Sequence, residues 1–472
     1  MHRPSHKAWR ATGLGLVSAW ALLAGTGARA QSLQETLVQA YQNNPQLLSE
    51  RATARATDEA VPQALSGWRP TISVNASAGF TQSNERGAGV TPPNVPQAFS
   101  AELPRSTPDQ PTDYGVTLTQ PLFTGGHTTA ATAEALSQVR AERANLVAVE
   151  ESVLLTAATD YVNVVEDQAT LDLNINNEQV LRRQLDYTQD RFNVGEVTRT
   201  DVAQAESSLA QAIAERQQAE AGLQIARATY QQDIGVAPGK LKAPDLSPEL
   251  PTSRDEAVSV AMSADPQVVT AQFTLQAAQD DIRVVRSQLL PTVSLTASAG
   301  RSNNVDIMGR EADSESITAD MSVPLYEAGK VYSESRQAQQ TVTADRSKLD
   351  QARQAAMQAS ASAWEQLREA RANIVSFKAQ IDANSIALEG VQQEAAVGER
   401  TVLDILNAEQ TLFQSRVSLV QSEHDELVSE FTLAVALGRL TAKNLALPVQ
   451  LYDPDQNFNA VRNKWIGFGT GQ

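Results

Sequence analysis

The sequence has no cysteine among its 472 residues. Disulfides, thiolate nucleophiles, thiolate-bound metals and an acylated N-terminal cysteine are all excluded. Aromatic residues make up only 5% of the chain, fewer than a large compact enzyme core usually holds. Ala and Gln recur instead, which suits helices packed side by side. Basic residues are in deficit: 38 Lys and Arg stand against 55 Asp and Glu, for a net charge of −17. Such a chain is a poor binder of nucleic acid. Of four histidines, His2 and His6 fall within the N-terminal thirty residues expected to be removed, and His127 and His424 lie far apart with no H-x-x-x-H spacing. No G-x-S-x-G and no Gly-rich phosphate loop follows a strand. Neither catalysis nor a cofactor or metal is expected; the abundant acids read as solvated helix faces. Beyond residue 30 no run approaches the ~20 apolar residues of a spanning helix. A membrane crossing would then be made by β-strands.

The first thirty residues stand apart. Arg3, Lys7 and Arg10 precede an uncharged run from Ala11 to Ala28, which ends in Ala28-Arg29-Ala30. Residues 1–30 are expected to be a cleaved export signal. Their removal takes away four basic residues and no acidic ones, which lowers the net charge to −21.

The rest of the chain is one unit written twice. Ser32-x-x-Glu35 and Ser253-x-x-Glu256 both read as helix-capping boxes, and Asn44-Pro45-Gln46 returns as Asp265-Pro266-Gln267. Pro70-Thr71-Ile72-Ser73-Val74 returns as Pro291-Thr292-Val293-Ser294-Leu295, again 221 residues later. Further on, Pro121-Leu122-Phe123 matches Pro324-Leu325-Tyr326, Val194-Gly195-Glu196 matches Val397-Gly398-Glu399, and Asp201 matches Asp404, now at an offset of 203. The 18 extra residues of the first half fall between Gly79 and Pro121, where Pro92, Pro93, Pro96, Pro104, Pro108 and Pro111 crowd together. That stretch reads as a long irregular loop. The expected division is a first repeat over 31–250, a second over 251–447 and a tail over 448–472.

Each half reads as helix, strand, loop, strand, helix, tight turn, helix. Strands are expected at about 70–82, 112–123, 291–301 and 315–326, because apolar and polar residues alternate there, as in Ile72, Val74, Ala76 against Ser73, Asn75, Ser77. Alternation alone fits a soluble sheet with one wet face as well as a membrane barrel. Long helices follow from about Gly126 to Arg191 and from about Lys330 to Glu394; Val153, Ala157, Tyr161, Val164, Leu171 and Ile175 recur there by threes and fours, with a polar break at Gln168. A helix of ~65 residues is ~100 Å long. Four strands cannot close a barrel, and open edges in lipid are costly. If these strands span a membrane, several chains must pool them: two chains would give eight strands and three chains twelve, so the sequence favours an oligomer and leaves its count open.

These landmarks, with Gln120-Pro121-Leu122-Phe123-Thr124-Gly125-Gly126 at a strand-to-helix junction and the turns Arg191-Phe192-Asn193-Val194-Gly195 and Val397-Gly398-Glu399-Arg400-Thr401, resemble the TolC family of outer-membrane channel-tunnels from about Ser32 to about Leu447. The resemblance implies a mixed fold, a long α-helical barrel topped by a trimeric 12-stranded outer-membrane β-barrel in outer-membrane lipid. It also implies a homotrimeric exit duct for type I secretion or multidrug efflux, working with a periplasmic adaptor and an inner-membrane transporter. The lack of a lipid-bearing cysteine points toward the secretion type. Val194, Gly195, Glu196 and Val197, with Val397, Gly398 and Glu399, correspond to adaptor-docking tips. Asp404 matches the pore-gate aspartate, and Asn407 stands where a second Asp is usual. Arg400 matches the latch arginine, with Thr200 and Asp201 as its partners; Ala395 replaces the latch tyrosine. The same acids also read as plain helix caps, since Thr198-x-x-Asp201 and Thr401-x-x-Asp404 are capping-box patterns. Two other readings compete with the duct. A periplasmic coiled-coil spacer or adhesin without a pore needs no amphipathic strands, and a diffusion porin needs no ~100 Å helices.

Overall fold

The computed structural model describes residues 31–85, 105–244, 246–304 and 311–469. The expected export signal over 1–30 and Pro92, Pro93, Pro96 and Pro104 lie outside the described residues. The chain runs through α1 (Leu33–Asn43), α2 (Pro45–Asp58), α3 (Ala60–Leu65), β1 (Thr71–Ala78), β2 (Thr81–Glu85), β3 (Arg105–Asp109), β4 (Thr112–Phe123), α4 (His127–Asn193) and α5 (Arg199–Ile234). It then repeats the pattern as α6 (Arg254–Ala264), α7 (Pro266–Ser287), β5 (Thr292–Asn303), β6 (Glu311–Ser322), α8 (Lys330–Ala396) and α9 (Val402–Ala436), and closes with α10 (Pro454–Val461).

The duplication extends to individual hydrogen bonds. Asn44 Oδ1 accepts from the N–H groups of Gln46 and Leu47 at 2.9 and 3.3 Å, and Asp265 Oδ1 accepts from those of Gln267 and Val268 at 2.7 and 3.3 Å. Each cap precedes a proline whose missing N–H costs nothing at a helix start. The two long helices, α4 and α8, have 67 residues each, or about 100 Å. Their buried stripe has a period of seven. In α4, Val139, Leu146, Val153, Asp160, Asn174, Leu181 and Thr188 are buried; in α8, Val331, Ala338, Asp345, Leu349, Ala356, Ala363, Leu367, Ala370 and Ile374 are buried. A repeat of 3.5 drifts from a straight helix, so a stripe counted at 3.6 leaves the interface. Ile175, expected on that stripe, is accordingly exposed, and Asn174 and Asn177 are buried beside it. Small residues on the stripe let the helices of each hairpin, α4 with α5 and α8 with α9, pack along their shared length.

The main core lies where Leu33, Leu37, Leu154, Tyr161, Tyr230, Phe431 and Leu440 meet. The Tyr161 hydroxyl lies 2.7 Å from the carbonyl of Lys242 and 2.9 Å from that of Gln31, pinning the joint between repeats. Glu151 and Glu150 reach from α4 to accept the N–H groups of Leu440 and Ala442 at 3.0 and 2.8 Å. The tail over 448–472 carries no motif that assigns it a place. In the structure it docks on the first repeat: Asn457 Nδ2 donates to Asp58 Oδ2 at 2.8 Å, and Arg143 pairs with Asp455 at 2.7 Å.

The four strands β1, β4, β5 and β6 form one antiparallel sheet in that order. Three expectations need correction. The strand expected at 70–82 divides, because Gly79 donates to Pro111 O at 3.0 Å and Pro111 has no N–H to return. Part of the expected loop is a ribbon, β2 paired with β3, which tolerates Pro108 because it has only two strands, each an edge. The last strand lies over Glu311–Ser322, not 315–326, and stops before Pro324.

Candidate functional site

Two regions at opposite ends of the long helices carry the features that point to function. The first is the sheet. Its cross-strand pairs place Ile72, Val74, Val116, Leu118, Leu295, Ala297, Ile317 and Met321 on one face, and Ser73, Asn75, Thr117, Ser298, Ser316 and Thr318 on the other. Ile72, Val74, Ile317 and Met321 are each about two-thirds or more exposed. Among the described residues nothing packs over these exposed side chains, unlike a soluble sheet whose apolar face lies on a core. At its far end this face turns charged: Arg301 grips Asp313 in a two-pronged pair at 2.6 and 2.8 Å. On β5 the apolar stretch from Val293 to Ala299 spans ~20 Å at 3.4 Å per residue, close to the ~25 Å band of outer-membrane barrels. Strands β1 and β6 remain open edges within the chain.

The second region is the pair of helix reversals at the other end of α4 and α8. After α4, Gly195 takes φ +83°, and after α8, Gly398 takes φ +84°. Both close the same motif: Glu196 N donates to Arg191 O at 2.9 Å and Glu399 N to Glu394 O at 3.0 Å. Only a residue without a side chain adopts that backbone freely. One residue earlier, Val194 and Val397 are exposed to 71% and 73%. The returning helices begin with matching capping boxes. Asp201 Oδ2 accepts from Thr198 N at 2.8 Å and from its hydroxyl at 2.7 Å; Asp404 Oδ2 does the same with Thr401 at 2.9 and 2.8 Å. The hydroxyl and backbone N–H of Thr198 hold the Asp201 carboxyl below the usual carboxylate range. The backbone and hydroxyl of Thr401, with Arg400 nearby, do so for Asp404. Both acids are therefore charged helix caps.

The two reversals lie side by side. Leu181 from α4, Ala205 and Ala212 from α5, and Val402 and Leu406 from α9 form one small cluster, with Val197 and Leu209 packed against it. Thr200 on the first turn of α5 and Asn407 on the second turn of α9 are exposed, and Asp404 is half-buried. Arg400 donates to Glu394 at 2.8 Å, within its own reversal; Asp201, the partner expected from the resemblance, is engaged with Thr198. In the first reversal the polarity is swapped, and Arg191 on the long helix pairs with Glu196 in the turn at 3.1 Å. Glu394 occupies the position equivalent to Arg191, so the charge exchange could have been found by aligning the repeats. Ala395 is buried. Among the described residues no cluster of three or more His, Cys, Asp or Glu side chains could hold a metal.

The family model for outer membrane efflux proteins matches residues 36–236 and 257–439, one stretch in each repeat. The chain is 36% identical over 465 residues to the outer membrane efflux protein BepC of Brucella suis, covering 96% of this chain and 97% of that protein. It is 25% identical over 433 residues to the outer membrane protein TolC of Escherichia coli, covering 88% and 84%. Among solved structures, CusC superposes with a TM-score of 0.75 at 17% identity, covering 86% of this chain and 92% of that one. That structure shares the fold of long helices topped by strands.

Proposed function

The chain belongs to the outer membrane efflux protein family and is an outer-membrane exit duct of the efflux or type I secretion kind, and from that premise we propose how it is assembled and gated. Three copies pool their strands into one twelve-stranded barrel, in which β6 of each copy pairs with β1 of the next. The observation that carries this reading is the sheet itself, with its uncovered apolar face and two open edges. Closure satisfies the edges in lipid. The helices carry the conduit inward across the periplasm, and no catalytic step is assigned to it.

The tips at Val194–Val197 and Val397–Glu399 dock a periplasmic adaptor, through which an inner-membrane transporter supplies the energy. Matched exposed valines and glycines at both reversals support this, since they give six near-equivalent contacts around a trimer. Asp404 and Asn407 line the constriction beside the tips. Arg400, Thr200 and Asp201 form the latch between neighbouring hairpins, reached when Arg400 leaves Glu394. The test is purification in detergent followed by planar-bilayer recording. A trimer with single-channel conductance is expected. A monodisperse monomer that needs no detergent, or a trimer that conducts nothing, sinks the duct and restores the spacer.

A further inference from the structure

We propose that the C-terminal segment Trp465–Phe468 is a membrane anchor, seated among the phospholipid headgroups of the inner leaflet of the outer membrane, at the foot of the barrel. The proposal rests on the duct reading and adds a second lipid contact to it. This segment lies beyond residue 439, where the family match ends.

Its position is fixed by Arg69. The guanidinium of Arg69 donates to Lys464 O at 2.8 Å and stacks over the Trp465 ring, 5.0 Å from its centroid. Arg69 stands three residues before Ile72, the first lipid-facing side chain of β1, or ~10 Å along an extended chain. The tail therefore returns from its docking site on α2 and α4 to the level where the apolar band begins. There it presents Trp465 at 65% exposure, Ile466 at 91% and Phe468 fully exposed. The strand bases near this level also leave Trp68, Phe123 and Tyr326 exposed, aromatic side chains of the kind that suit a membrane boundary.

The chemistry selects the occupant. Indole rings prefer the boundary layer, where one edge is wet and the body is apolar. In a chain this acidic, Arg69 stacks on Trp465 and Arg462 and Lys464 stand three and one residues before it, a charge suited to lipid phosphates. Among the described residues nothing covers Ile466 and Phe468, and a short segment resting on the headgroup layer gives them cover. With no cysteine to carry an acyl chain, the exported protein has no lipid-modified cysteine to anchor it there.

The test uses the full exported chain with Trp68→Phe and Trp364→Phe, which leaves Trp465 as its only tryptophan. Trimers are reconstituted into vesicles of phosphatidylcholine and phosphatidylglycerol, with or without lipid brominated near the glycerol end of the acyl chains. Trp465 should lose most of its emission to brominated lipid and resist acrylamide in the water. A parallel trimer carries Trp465→Phe and Val74→Trp as its single reporter, on the lipid face of β1. If Val74→Trp is quenched by brominated lipid and Trp465 is quenched only by acrylamide, the anchor is overturned and the barrel stands. If Trp465 resists both quenchers, a neighbouring protomer covers it, and the anchor is again overturned. If Val74→Trp is not quenched by brominated lipid, the barrel reading itself fails.

Discussion

Replacing Gly195 and Gly398 together separates two ways in which the tips could matter. Both residues sit at φ near +84°, and a Cβ built on either meets nothing within 4 Å. An added side chain therefore clashes with no atom of this chain. What remains is backbone strain, about 1–2 kcal/mol for an alanine in the left-handed region and so ~2–4 kcal/mol over the two turns. Asparagine visits that region much more cheaply but projects further from the tip. If strain in the turns governed export, the Gly195→Ala/Gly398→Ala pair would be worse than the Gly195→Asn/Gly398→Asn pair. If close approach of a partner governs it, the order reverses. We expect the asparagine pair to lose export and the alanine pair to keep part of it, with both forming wild-type amounts of trimer. The assay is protection against a toxic lipophilic dye in a strain lacking its own copy, with trimers quantified in outer-membrane fractions. Full export by the asparagine pair would refute docking at these turns, and so would export that falls only in step with trimer abundance.

Burial lifts the Glu151 carboxyl to about 8, although Leu440 N–H donates to it, with the nearby Asp265 and Glu150 adding to the rise. The folded form then binds a proton that the unfolded form releases above its ordinary value of 4.5, so this group's contribution is full below that value and falls as pH rises toward 8. Glu151→Gln keeps an acceptor for Leu440; its trimer should melt higher than wild type near pH 8 and converge with it near pH 5, at ~1.4 kcal/mol per pKa unit, and parallel pH profiles would defeat the assignment. Block by hexamminecobalt(III) in planar bilayers should be shallow in wild type, deeper in Asn407→Asp and absent in Asp404→Ala, with all block fading in high salt; undiminished block in Asp404→Ala would reduce Asp404 to a helix cap. Arg400→Ser should raise conductance and Glu394→Gln, which frees Arg400 for the latch, should lower it; unchanged conductance in both removes Arg400 from gating.

The sequence alone determined the duplication, the two reversals and the existence of four amphipathic strands, because these are written in local signals. Gly195 and Gly398 are forced by backbone geometry, Thr198 and Thr401 by helix-start chemistry, and Ile72 and Val74 by a period of two. The capping role of Asp201 and Asp404 was legible for the same reason: a box spans only four residues. Tertiary structure decided what lies far apart in the chain. Alternation cannot say whether a partner covers the apolar face, and only the three-dimensional sheet showed Ile317 and Met321 exposed among the described residues. Polar residues hid the seven-residue stripe, since Asn174 and Thr188 are buried only because a neighbouring helix lies over them. Arg400 found Glu394 because the closed turn brings them together. The tail was unreadable, because Asn457 meets Asp58 and Lys464 meets Arg69 across nearly 400 residues. Contacts of that reach depend on how the whole chain is threaded, and no local pattern records them.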